Sequence, residues 1–130
     1  ITNELTQIII NLIQNAKDAF SANNIQQKEI KITTHKDKNN AIIEIKDNAG
    51  GISEENLEKI FEPYFTTKHS TSGTGLGLFM SKMICEQGFN GSLEVLNINN
   101  GVIFTIKIPL KNHRESQNEQ SFKRVKCITS

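Results

Sequence analysis

The chain has 130 residues and a mass of 14.6 kDa, enough for one domain that buries roughly two-thirds of its unfolded surface without needing disulfides or metals. Its composition, 36% hydrophobic and 22% charged, excludes a disordered polymer. The 15 basic and 14 acidic side chains leave a net charge of +1, which gives no global field for steering nucleic acid, and no apolar run approaches the roughly 20 residues that span a bilayer.

Residues 3–21 carry apolar side chains at Leu5, Ile8, Ile9, Leu12, Ile13, Ala16, Ala19 and Phe20, the i, i+3, i+4 spacing of a helix with one buried face. Asn3 is placed to cap it, and Glu4 suits its positive end. Residues 29–35 and 41–46 alternate as strands, joined by a turn at Lys38-Asn39-Asn40. A glycine-containing loop follows from Asp47 to Gly51. Ser53 caps a short helix predicted to run to Phe61, where Pro63 stops it. Residues 65–74 are small and polar, without periodicity, and are expected to be mobile. A third helix is predicted over 75–87, with Gly88 as its stop. Strands at 92–97 and 102–109 are joined by Asn99-Asn100-Gly101, a hairpin turn.

The last stretch, 111–130, holds five basic and two acidic residues and few apolar ones. It is expected to be a flexible or non-native tail outside a domain of residues 1–110. The element order predicts an α+β fold, a two-layer sandwich with three helices on one face of a mixed, mostly antiparallel sheet. Cys85 and Cys127 have no Cys or His at metal-ligand spacing and read as reduced thiols. The first residue is Ile and no basic segment precedes the first helix, so the chain reads as a piece of a longer protein without a secretory signal.

Four clusters carry candidate chemistry. Asn11, Asn15 and Asp18 share one helix face, where Asn and Asp are poor helix formers. They are either a solvated face or an oxygen platform for a hard cation such as Mg²⁺. Asp47-Asn48-Ala49-Gly50-Gly51-Ile52 follows a strand; it is either a turn or a carboxylate placed to accept a hydrogen bond from an exocyclic amine, beside glycines that let the backbone approach a flat ring. Gly73-Thr74-Gly75-Leu76-Gly77-Leu78 enters a helix and exposes backbone N–H groups suited to phosphates, unless it is only a hinge. Phe61-Glu62-Pro63-Tyr64-Phe65 reads as core packing that anchors the polar stretch, with Lys68 placed to reach a phosphate as a mobile charge.

In this order the clusters resemble the N, G1, F and G2 boxes of the sensor histidine kinases, over residues 1 to about 110. The resemblance implies the Bergerat ATP-binding fold of the GHKL superfamily, with ATP and Mg²⁺ as cofactors. By resemblance, Asn15 is the Mg²⁺ ligand and Asn11 lies near the metal or phosphates. Asp47 reads the adenine amine, and Gly51 and Ile52 border the ring. Gly73, Thr74, Gly75, Leu76 and Gly77 form the phosphate-binding stretch, with Lys68 as a lid cation.

The sequence departs from the family pattern in three places. Ala49 stands where the first glycine of the G1 box is usual. The strand that normally precedes the first helix is absent, so either an incomplete sheet edge or a swapped partner is expected. None of His35, His69 or His113 lies in the helical context of a phosphoacceptor. The resemblance therefore implies a cytoplasmic catalytic domain that binds Mg-ATP and donates the γ-phosphoryl group to a His of an upstream dimerisation domain, with a response regulator as the further partner. It implies no nucleic acid and no direct membrane contact. Asn11 cannot take a proton at neutral pH, which argues against a hydrolysing relative with a Glu base there. The alternatives are a related ATPase or anti-sigma-type kinase, and a nucleotide-free interaction module.

Overall fold

The computed structural model describes residues 2–66, 75–110 and 127–129. Helix α1 (Thr2–Ala22) opens the chain, followed by strands β1 (Glu29–Lys36) and β2 (Asn40–Asp47), the single helical turn α2 (Glu54–Leu57), helix α3 (Gly77–Met83), and strands β3 (Ser92–Ile98), β4 (Gly101–Pro109) and β5 (Cys127–Thr129). The strands form one sheet in the order β3-β4-β2-β1-β5. Every pairing is antiparallel, so no parallel pair of the kind a mixed sheet would contain is present among the described strands.

The core lies between this sheet and the helices. Ile8, Leu12, Ala16 and Phe20 are buried at four-residue intervals along α1, as an amphipathic helix requires. They meet Ile30 and Ile32 of β1, Ile43 and Ile45 of β2, Leu93 of β3, and Phe104 and Ile106 of β4. Each fully buried Ile or Leu contributes about 1.5–3 kcal/mol relative to exposure. The alternate residues Lys31, Lys46 and Glu94 are exposed on the opposite sheet face. The predicted two-layer α+β sandwich is therefore the observed one.

Three boundaries differ from expectation. Ser53 does cap α2, its hydroxyl accepting from the Asn56 N–H at 3.2 Å, but the helix ends at Leu57 and not at Phe61. Tight turns follow, Lys59 N–H to Asn56 O and Glu62 N–H to Lys59 O. Pro63 disfavours helical backbone before it and would clash with the carbonyl four residues back. Helix α3 starts at Gly77 and not Gly75, because Gly75 takes φ +77, which no right-handed helix accepts. It then passes into a π-helical turn over Ile84–Gly88.

Part of the stretch expected to be a tail is paired to the sheet. Residues 127–129 form β5 and pair with Glu29, Ile30 and Lys31 of β1. Backbone pairing with an otherwise open strand edge satisfies donors and acceptors on both strands. Residues 111–126 lie outside the described residues.

Candidate functional site

The crossover from β2 to β4 brings the C-terminal end of β2 beside the N-terminal end of β4, with Asp47 opposite Val102. Asp47 is only 7% exposed. Its Oδ1 accepts from the Ala49 N–H at 2.9 Å. Burial raises its carboxyl above the ordinary carboxylate range, and the backbone N–H groups of Ala49 and Val102 oppose that rise only in part. A buried carboxylate at a sheet end is costly unless it meets a donor.

The loop after Asp47 is fastened by three asparagine side chains and by the Gly50 N–H, which donates to Asn100 O at 3.0 Å. Asn23, just past α1, donates its side-chain N–H to the Ala49 carbonyl at 2.6 Å. Asn48 donates to Gln27 O at 2.8 Å and accepts from Glu29 N–H at 2.9 Å. Asn97 of β3 donates to Ile52 O at 2.6 Å and accepts from Ile52 N–H at 2.9 Å. Gly50 and Gly51 supply the left-handed backbone, with φ of 111 and 79. Ala49 is buried at 2% exposure in the core and is not among the positive-φ residues, so its methyl group is accommodated where the family pattern has glycine.

The second half of the site joins α1 to α3. Asn11 Nδ2 donates to the buried Ser81 Oγ at 3.0 Å. A Cβ on Gly77 would lie 2.5 Å from Asn11 Oδ1 and 2.9 Å from Nδ2. The absence of that carbon is what lets Asn11 sit against the first turn of α3. Asn15 lies one turn further along α1, half-buried, with its amide nitrogen enclosed. Asp18 accepts from Gln14 at 3.1 Å on the outer surface. Gly77→Ala is expected to displace Asn11 from Ser81. It should lower nucleotide affinity about three- to tenfold with little loss of stability. Titration beside a thermal melt checks this, and unchanged affinity would count against a role for Asn11.

Around Gly75 the chain is pinched. The Tyr64 N–H donates to the Gly75 carbonyl at 2.7 Å, and both residues have positive φ, 68 and 77. Phe61 packs edge-on against Phe104, with ring centroids 6.4 Å apart. Lys82 of α3 lies over the Phe61 ring at 4.8 Å. It also donates to Leu93 O at 3.0 Å and pairs with Glu86 at 3.1 Å. Phe61 and Phe65 pack against the core, as expected, with Lys82 tying Phe61 to α3, but the Tyr64 ring is 75% exposed and takes no part in that packing.

Of the residues singled out in the sequence, Asn11 and Gly77 are brought into contact, and Asp47, Gly51 and Ile52 share one fastened loop. Leu76 occupies the position just before α3 and makes no side-chain capping hydrogen bond. Lys68, Gly73 and Thr74 lie outside the described residues. Sequence reasoning missed Ser81, Asn23 and Asn97; Ser81 and Asn97 are polar residues inside otherwise apolar patterns, whereas Asn23, in the polar segment just past α1, carries no such signal. A separate cleft of about 500 Å³ is lined by Glu29, Lys31, Lys46, Asn48, Asn99 and Asn100 among others. It reaches Asp47 but includes neither Asn11 nor Asn15.

The chain as a whole matches known proteins. A family model described as histidine kinase-, DNA gyrase B-, and HSP90-like ATPase matches residues 1–112. The two-component sensor PprA of Pseudomonas aeruginosa is 38% identical over 111 residues, 83% of this chain and 12% of that protein. The probable C4-dicarboxylate sensor kinase of Halalkalibacterium halodurans is 40% identical over 111 residues, 85% of this chain and 20% of that one. Among solved structures, a catalytic domain of the histidine kinase ThkA superposes with a TM-score of 0.69 at 35% identity, covering 84% of this chain and 69% of that one. The chain belongs to this ATPase family and, within it, to the catalytic domains of the sensor histidine kinases. It spans only a small part of the curated sensor proteins it matches, 12% and 20% in the two cases above.

Proposed function

We propose that this chain binds Mg-ATP and presents the γ-phosphoryl group to a histidine of a separate dimerisation domain in the same parent protein, upstream of a response regulator and in the cytoplasm. The observation that carries this reading is the buried Asp47 carboxylate under a loop fastened on three sides. Such a group is suited to accept a hydrogen bond from the adenine amine, with Gly51 and Ile52 bordering the ring. No described helix is long and apolar enough to cross a membrane.

Transfer forms a bond between the acceptor imidazole nitrogen and the γ-phosphorus and breaks the bond to the bridging oxygen, which leaves with ADP. Little covalent work falls to the protein, so positioning and charge neutralisation dominate. Asn15, with Asn11 beside it, offers the neutral oxygen donors that Mg²⁺ accepts alongside phosphates; when bound, that ion neutralises phosphate charge. Gly73, Thr74, Gly75, Leu76 and Gly77 would give backbone N–H groups to the phosphates, and Lys68 a further cation. The Asn11 amide cannot abstract a proton from water, so slow hydrolysis is expected.

Calorimetric titration with ATP, with and without Mg²⁺, tests the reading. Magnesium is expected to tighten binding at least about tenfold, and Asn15→Ala to abolish that difference. A folded chain that binds no ATP would overturn the proposal and leave an interaction module in its place.

A further inference from the structure

Asn97 stands opposite Val102 of β4, which stands opposite Asp47 of β2. The three form one row across the end of the sheet, on the face that carries the helices. From this row Asn97 meets both backbone groups of Ile52, at 2.6 and 2.9 Å. One side chain thus does for Ile52 what a neighbouring strand would do. Its amide orientation follows from its partners, since one is an acceptor and the other a donor. A Cβ on Gly51 would lie 3.3 Å from Asn97 Oδ1, so glycine there also keeps the approach clear. The Ile52 side chain packs against the core. With its N–H engaged by Asn97 and its C=O already accepting one hydrogen bond, the free surface of Ile52 is mainly apolar.

We propose that Asn97 is a positioning residue for nucleotide-base specificity: it locks the Gly51–Ile52 backbone relative to Asp47, so that the loop cannot shift to suit a different base. The inference rests on the reading of Asp47 as the group that meets adenine. Asn23 and Asn48 hold the near side of the two glycines. The Gly50 N–H also donates to Asn100 O at 3.0 Å, and Asn97 holds the far side beyond Gly51, where a second left-handed glycine leaves the backbone to Ile52 the most freedom.

The test compares wild type with Asn97→Ala in the full chain by titration with Mg-ATP and Mg-GTP, together with thermal melting and amide hydrogen exchange at Ile52. The wild-type Ile52 N–H is expected to be protected. In Asn97→Ala, ATP affinity falls about tenfold while GTP affinity changes little, so the ATP-to-GTP preference shrinks by that factor. Asn97→Ser, which keeps one hydroxyl for one of the two backbone groups, falls between. A lower melting temperature with an unchanged ATP-to-GTP preference would make Asn97 merely structural and overturn the inference. So would an unprotected Ile52 in wild type, whatever the variants do. Wild type that binds ATP and GTP equally overturns the Asp47 reading itself, and that failure is distinguishable because it needs no variant.

Discussion

Asp47→Asn is expected to separate binding from stability: ATP affinity falls roughly 10- to 100-fold while the unliganded fold is retained or gains up to about 1 kcal/mol. The carboxylate is buried and its pKa is raised mainly by desolvation. A raised carboxyl pKa means that ionisation costs stability at every pH above it. That cost disappears as the pH falls through the raised value, where the folded state binds its proton more readily than the unfolded chain does. An amide at position 47 removes the cost at neutral pH. It can still accept from the Ala49 N–H as Asp47 Oδ1 does. It cannot match the carboxylate as an acceptor for the adenine amine, while its own N–H suits the guanine carbonyl. The ATP-to-GTP preference should therefore collapse. Titration of both nucleotides beside a denaturant melt measures this. A variant that melts earlier yet binds ATP as tightly would remove Asp47 from the site. In wild type, ATP affinity should decline on acidification already at a pH where an ordinary carboxylate remains ionised.

Gly75→Ala is expected to lower stability by about 2–4 kcal/mol and to abolish measurable ATP binding. Alanine at φ +77 carries the left-handed penalty of about 1–2 kcal/mol. Its Cβ would also lie 2.6 Å from Tyr64 Cα and 2.7 Å from Tyr64 O. These are backbone atoms that no rotamer change can move. Relief requires breaking the Tyr64–Gly75 hydrogen bond, which pins the chain entering the polar stretch to the chain leaving it. For a domain near 100 residues each kcal/mol corresponds to about 4–8 °C in melting temperature. A melt within a degree or two of wild type would mean that the two segments move apart freely.

Most elements were legible because their signals are local. The four-residue burial rhythm of α1 and the strands β1 and β2 appear in the structure within one or two residues of the predicted bounds, although β2 buries Ala41, Ile42 and Ile43 in succession and does not alternate there. The turn between β1 and β2 shows how a local signal can still be misread. It is built by Asp37, whose Oδ1 accepts from the Asn39 and Asn40 N–H groups at 2.8 and 2.7 Å, an Asx-type turn. The prediction gave the turn to Lys38-Asn39-Asn40 alone. The family-like clusters pointed to Asn11, Asp47, Gly75 and Gly77 because residue type and order suffice for that.

The amino-acid sequence by itself determined the two-layer plan and the order of elements as far as β4, and it pointed to the candidate residues Asn11, Asp47 and Gly77, since periodicity and glycine placement are written along the chain. Only the tertiary structure decided which residues hold that site in shape. Asn97 reaches Ile52 across 45 positions and Asn11 reaches Ser81 across 70. An asparagine that staples a loop looks, in sequence, like an asparagine facing water. The difference is made by the crossover that sets β4 beside β2, and by the missing carbons of Gly51 and Gly77, which let side chains from distant elements come within hydrogen-bonding distance.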